Sequence, residues 1–220
     1  MNSMLGNVGK TVFYTDPIEA NPVDHRESLQ QLVSDIDAGI VELLVIIGGN
    51  PVYNTPADLK LNFERFEKHT KMVRVHLSEY KDETSELCHW HVPAAHYLES
   101  WGDTRSYDGT VTLMQPLIEP LHGGKTAHEI LAIFSEQYDR RPYDIVKSYW
   151  QTQRSGAAGT QTAQTTTQAP APSPSPSQDF EAWWRQSVHN GFIENSALPA
   201  KTVSAQAAAS QTQSPPAQSA

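Results

Sequence analysis

The densest set of side chains able to hold a metal is Cys88-His89-Trp90-His91, with His96 five residues further on. In an extended strand His89 and His91 share a face and Cys88 points away. Zinc or copper wants three or four converging nitrogen or sulfur ligands, so His89, His91 and His96 are the metal candidates. The plainer reading is a polar strand end whose histidines are satisfied by backbone or by Glu99 and Asp103. A second candidate follows the aliphatic run Val41–Ile47, where Gly48-Gly49-Asn50 leads into Pro51. Ligands of open α/β sheets bind at the carboxyl ends of strands, where glycines let a cofactor approach the backbone. Gly48, Gly49 and Asn50 are therefore candidate contacts for a dinucleotide or pterin dinucleotide, and the competing reading is a tight turn into the next helix. The absence of G-x-G-x-x-G argues against a nicotinamide site. Gly6-Asn7-Val8-Gly9-Lys10-Thr11 ends like a phosphate loop, but Met4 stands where the pattern needs its first glycine and no strand precedes it. Glu99 and Asp103 flank Trp101, and burial there would raise a carboxyl pKa; a capping or turn role is the simpler assignment. No residue is assigned a catalytic role.

Placing these side chains requires alternating strands and helices. Asp24-His25-Arg26-Glu27 has the spacing of a capping box. Leu29, Leu32, Val33 and Ile36 then follow at i, i+3, i+4 and i+7, the stripe of an amphipathic helix, and Gly39 stands where it would stop. The nearly continuous Val41–Ile47 run reads as a strand covered on both faces, as in a parallel sheet. Pro56-Ala57-Asp58 opens a second helix with Leu59, Phe63 and Phe66 inward. Thr11–Tyr14, Lys71–His76, Cys88–Val92 and Val111–Met114 are further β runs. Ala127–Tyr138 and Pro142–Trp150 read as helices, and Asp108-Gly109 marks a turn. Strands and helices alternating in ~30-residue units predict right-handed crossovers and an α/β fold with a doubly wound, mostly parallel Rossmann-like sheet.

Composition divides the chain. Residues 1–150 hold enough aliphatic and aromatic side chains for an α/β domain. Residues 151–178 contain no Val, Ile, Leu or aromatic residue, and such a Pro/Thr/Gln/Ala-rich stretch cannot bury enough apolar area to offset its ordering entropy, which predicts a disordered linker. Residues 179–203 recover amphipathic helical character as a short docking segment, and 204–220 form a low-complexity, disordered tail. The net charge is −9 and no basic run exceeds Arg140-Arg141, which excludes a nucleic-acid footprint. Cys88 is the sole cysteine. It permits no internal disulfide and no cysteine-ligated iron–sulfur cluster, which takes about four thiolates. The longest apolar run, Ile40–Ile47, is interrupted by Glu42 and falls short of the ~20 residues of a membrane span. Met1–Gly6 has neither a basic nor an apolar signal region, so any export signal is expected upstream of Met1.

Two longer stretches carry a family resemblance. Leu44-Val45-Ile46-Ile47-Gly48-Gly49-Asn50-Pro51-Val52-Tyr53-Asn54-Thr55-Pro56-Ala57-Asp58 resembles the strand–loop–helix of the molybdopterin-oxidoreductase superfamily. Val92-Pro93-Ala94-Ala95-His96-Tyr97-Leu98-Glu99-Ser100-Trp101-Gly102-Asp103, continued by Tyr107–Ile118, resembles a later segment of the same superfamily. The wording His-Tyr-Leu-Glu-Ser-Trp-Gly-Asp is similar to its Tat-variant branch, the large iron–sulfur subunits of alternative complex III, a quinol:electron-acceptor oxidoreductase. The resemblance spans about residues 5–150 and, less closely, 180–200.

In active members of the superfamily the molybdenum ligand lies N-terminal to the region matched here. In the alternative complex III branch the fold is kept without the cofactor, and the iron–sulfur clusters sit in a following cysteine-rich domain. The resemblance therefore implies a fragment or one piece of a split gene: a non-catalytic structural and interaction module with no cofactor of its own. It further implies the periplasmic side of a bacterial inner membrane, with a multihaem cytochrome and quinol-binding membrane subunits as partners. One alternative is a fragment of an active enzyme whose Gly48-Gly49-Asn50 loop touches molybdopterin guanine dinucleotide. The other is a stand-alone nucleotide-binding α/β domain. Without the strands that the family domain contributes upstream, residues 1–150 alone are expected to aggregate or stay molten.

Overall fold

The computed structural model describes residues 1–59, 61, 63–158 and 176–203. Two compact units emerge, one made of residues 1–17 with 198–203 and the other of residues 18–197.

The larger unit begins with helix α1 (His25–Asp37), whose N-cap Asp24 accepts a hydrogen bond from the Glu27 amide at 2.9 Å. Its inward stripe delivers Val33 and Ile36 to the core. Strand β1 (Leu43–Ile47) pairs in parallel with β2 (Val73–Ser78), and β2 with β3 (Trp90–Pro93), giving a three-stranded sheet in the order β1-β2-β3. Short helices fill the crossovers: α2 (Pro51–Asn54) and α3 (Phe63–Lys68) between β1 and β2, and α4 (Glu83–Glu86) between β2 and β3. One core gathers Val33, Ile36, Leu44, Leu59, Leu61, Phe66 and Met72. Each such side chain stabilises the fold by about 1.5–3 kcal/mol when fully buried.

These contacts lie on one face of the sheet, the face that carries Leu44, Ile46 and His76. The register places Leu43 with Val73, Val45 with Val75 and Trp90, and Ile47 with Leu77 and Val92 on the other face. There Trp90 is 67% exposed, and Leu43, Ile47 and Val73 are 43–46% exposed.

The chain then builds a separate antiparallel sheet instead of extending the parallel one. Strands β4 (Gly102–Arg105) and β5 (Val111–Met114) form a hairpin, and the two-residue β6 (Phe192–Ile193) pairs with β5 on its other side. Asp108 closes the hairpin turn, accepting from the Thr110 amide at 2.8 Å. Helices α5 (Ala127–Ile133), α6 (Pro142–Ala158) and α7 (Pro176–Asn190) complete this half. Thr126 caps α5 through a capping box with Glu129. Val111, Leu113, Val146, Trp150, Phe180, Trp184 and Ile193 form its core. Trp184 donates its indole N–H to the Tyr143 hydroxyl at 3.0 Å, and the Lys147–Glu181 and Arg154–Asp179 ion pairs tie α6 to α7.

The fold is thus mixed α/β, with parallel and antiparallel pairing segregated into two sheets. Val111–Met114, expected among the β runs of one mostly parallel sheet, pairs antiparallel in the second sheet. Helix α6 passes the Trp150 boundary expected from composition and ends at Ala158, because Arg154 finds Asp179 and stacks on Trp183. The remainder of the expected linker, 159–175, and the tail 204–220 lie outside the described residues. The docking segment packs on its own chain through Phe180 and Trp184. Among the described residues no helix is long and apolar enough to cross a membrane.

In the smaller unit the Asn7 carbonyl accepts from the amides of Lys10, Thr11 and Val12 at 2.9–3.0 Å. Thr11–Tyr14, expected as a β run, contributes only isolated bridges, Val8 with Val12 and Tyr14 with Lys201. Lys201 also forms an ion pair with Asp16.

Candidate functional site

The carboxyl ends of the parallel strands open onto a cleft of about 490 Å³. Gly48-Gly49 line it after β1, Ser78 and Tyr80 after β2, and Ala94-Ala95 after β3. Tyr97, Trp101, Met114 and His128 line it as well. This is where the crevice of an open α/β sheet is expected. Lys125 joins the cleft to β3: its amide donates to the Pro93 carbonyl at 2.8 Å, and its carbonyl accepts from the Ala95 amide at 3.0 Å. The adjacent Gly124 leaves no room for a side chain, since a Cβ there would come within 2.9 Å of the Ala95 backbone.

Of the three residues singled out as a cofactor loop, Gly48 and Gly49 present bare backbone to the cleft. Both adopt positive φ (67° and 70°), with no atom within 4 Å of where a Cβ would stand. Their polar groups are largely spent within the protein. The Gly48 amide donates to Leu77 at 2.8 Å, and the Gly49 carbonyl meets His76 Nε2 at 3.0 Å. Asn50 is fully engaged, donating to Glu83 at 2.6 Å and accepting from the Thr84 hydroxyl at 2.8 Å. Its amide holds the Glu83 carboxyl below the usual range. Asn50 is thus the bracket between α2 and α4.

Beneath that loop lies a polar cluster with no obvious sequence signature. His76, on β2, has no exposed surface. The Gly49 carbonyl can only accept, so Nε2 carries a proton, while Nδ1 lies 3.0 Å from the Ser85 hydroxyl. Ser85 and Asp82 form the α4 capping box, and Asp82 lies 3.7 Å from His76. Burial pushes the Asp82 carboxyl up, but the Ser85 amide and hydroxyl, His76 and the Thr84 amide together bring it below the usual range. The order of contacts is Asp–Ser–His with the far imidazole nitrogen tied to a carbonyl. A hydrolytic triad needs the histidine between the other two, so the cluster is a clamp that fixes the β1 loop to α4.

The expected metal candidates stay apart. His89 Nδ1 accepts from the Arg74 amide at 3.1 Å. His96 Nδ1 accepts from the Leu98 amide at 3.2 Å, and its ring lies tilted at 39° against Tyr97. His91 lies beside His76, ring centroids 5.9 Å apart, and its Nδ1 is buried without a hydrogen-bond partner. Among the described residues no three His, Cys, Asp or Glu side chains converge on one point. Cys88 is half-buried, and burial pushes its thiol up despite the nearby Arg74, which disfavours thiolate chemistry.

Glu99 and Asp103 both act as fasteners. Glu99 accepts from the His96 amide at 3.1 Å and the Leu121 amide at 3.4 Å. Asp103 accepts from the Trp150 indole at 3.0 Å and lies 3.7 Å from His128 Nε2. His128, which sequence reasoning missed, faces the cleft from the start of α5.

Models of known protein families give no match to this chain, and comparison with curated proteins gives none either.

Proposed function

We propose that this chain is a non-catalytic docking module of a membrane-associated quinol:acceptor electron-transfer assembly. On this reading it forms part of a Rossmann-like, doubly wound domain of the molybdopterin-oxidoreductase type, of the alternative complex III branch. The observation that carries the reading is the open sheet face. Parallel sheets are stable with both faces covered, and here eight apolar strand positions share a face that this unit leaves partly bare. The motifs around Gly48–Asp58 and Val92–Asp103 supply the family. A multihaem cytochrome and quinol-binding membrane subunits are the partners, on the periplasmic side of the membrane. Iron–sulfur clusters belong to a following cysteine-rich domain, because the lone half-buried Cys88 does not fit a four-thiolate cluster.

The test is to tag the full chain in its source organism, solubilise membranes in mild detergent and follow haem absorbance and quinol oxidation. Co-elution of both with the tag supports the reading, and elution as a haem-free monomer refutes it.

A second reading, part of an active pterin-dinucleotide enzyme, draws on Gly48 and Gly49, whose bare backbone faces the cleft. Molybdenum or tungsten in stoichiometric amount in the purified assembly would establish it over the first. A stand-alone nucleotide-binding role requires that NAD, NADP, ATP or GTP raise the melting temperature, since a ligand of the folded state must stabilise it.

A further inference from the structure

We propose that the cleft at the carboxyl ends of β1, β2 and β3 binds a small, uncharged planar aromatic molecule that donates a hydroxyl hydrogen bond, a phenol-type ring. This goes beyond the docking-module reading and does not rest on it. Two aromatic side chains, Tyr97 and Trp101, wall the cleft, and each is braced by a ring that does not line it. Trp101 stands edge-on against Tyr143, centroids 4.8 Å apart and planes at 66°. Tyr143 is held in turn by the Trp184 indole N–H, which donates to its hydroxyl. Tyr97 lies 4.2 Å, centroid to centroid, from the His96 ring. Rings fixed in this way have little freedom left to lose when a ligand arrives. The cleft volume of about 490 Å³ falls within the ~300–1,000 Å³ of small-molecule pockets.

His128 supplies the polar contact. Its Nε2 lies 3.7 Å from Asp103 Oδ1. Asp103 does not line the cleft and is itself fixed by the Trp150 indole N–H at 3.0 Å. A carboxylate can only accept, so it favours the imidazole tautomer with the proton on Nε2. The neutral ring then offers Nδ1 as an acceptor, for which a ligand hydroxyl is the matching donor. Charge argues against a phosphorylated ligand. The lysine that lines the cleft, Lys125, is paired with Glu129 at 3.0 Å, and Glu79 adds an exposed carboxylate to the lining. The Gly48 amide, which could have met a phosphate, donates to the Leu77 carbonyl instead.

The test is isothermal titration calorimetry of the full chain with 2-naphthol and with 2-methoxynaphthalene, which keeps the rings and caps the hydroxyl. 2-Naphthol should bind about five- to ten-fold more tightly, the share of one hydrogen bond. Tyr97→Ala, at a residue more than half exposed, should weaken both probes while circular dichroism shows the fold intact. His128→Leu, which keeps an apolar side chain in the lining, should erase the preference for 2-naphthol while 2-methoxynaphthalene still binds. A merely structural role for His128 would not give that split. Leu131→Ala, at an exposed position of α5 outside the cleft, should change neither affinity. The proposal is overturned if 2-naphthol does not bind, if the methoxy probe binds equally well, or if His128→Leu keeps the preference. It is also overturned if AMP binds more tightly than 2-naphthol. Haem co-purification is read separately, so either this inference or the electron-transfer reading can fail without the other.

Discussion

Replacing Trp184 by alanine tests whether the C-terminal helix is a structural part of the unit or a tethered segment meant for another subunit. Trp184 is 1% exposed and shares its core with Phe180, Val146 and Trp150. Its ring lies 6.2–6.3 Å, centroid to centroid, from those of Tyr143 and Phe180. Truncating a buried Trp to Ala costs about 3–5 kcal/mol, and the lost bond to the Tyr143 hydroxyl adds about 1 kcal/mol. Against a total domain stability of ~5–15 kcal/mol this is a large share. With a urea m-value near 2 kcal/mol/M, the midpoint should fall by about 2–3 M. Trp184→Phe keeps most of the packing and loses the N–H bond, so its midpoint should fall by well under 1 M. Both are read by equilibrium urea unfolding of the full chain, followed by circular dichroism. A shift below about 0.5 M for Trp184→Ala would mean that the 176–197 segment does not share the cooperative unit in solution, and the second core would have to be redrawn.

Further outcomes follow from other contacts. Truncation after Trp150 removes Phe180, Trp184 and Ile193 from the core, so by calorimetry the full chain should show a cooperative thermal transition and residues 1–150 should not. Gly124→Ala forces a Cβ against the Ala95 backbone and should cost about 1–3 kcal/mol, read as a lower melting temperature. His76→Leu leaves the Gly49 carbonyl without its imidazole partner, a loss of about 1–3 kcal/mol in urea unfolding, while the Ser85 hydroxyl keeps Asp82. Asp82, held below the unfolded value of about 3.9, contributes stability that is present above that value and lost as pH falls through its folded pKa. Asp82→Asn should therefore flatten the fall in urea midpoint between about pH 5 and pH 3, and an unchanged pH profile would remove Asp82 from the account.

Much of the parallel half was legible because its signals are local. The Asp24 cap, the Leu29–Ile36 stripe and the aliphatic run into Gly48 each specify an element without reference to distant residues, and α1, β1 and their order follow. The antiparallel half was not. Gly102–Arg105 alternates too weakly to announce a strand and forms one because Val111–Met114 returns beside it. Phe192-Ile193 is far too short to be read and pairs only because α7 delivers it to the edge of β5. The site shows the same division. The loop at the end of β1 was visible from its glycines, but what occupies Asn50 depends on Glu83 and Thr84, over thirty residues away. His76 entered only as the last residue of the Lys71–His76 β run, and its role emerges only when the β1 loop and α4 close over it. His89, His91 and His96 were grouped by proximity in sequence, whereas the strand and turn geometry sends each to a different backbone neighbourhood.

The late position of α7 and β6 also bears on how the polypeptide is made. The core residues from Val33 to Met72 that pack on β1 are all translated before β3, so that half can begin to organise while synthesis continues. Val111, Leu113, Val146 and Trp150 must wait for Phe180, Trp184 and Ile193, translated thirty or more residues later. A nascent chain stalled in the 159–175 stretch would carry two exposed apolar surfaces at once, one permanent and one transient, and that interval is when a chaperone has most to shield.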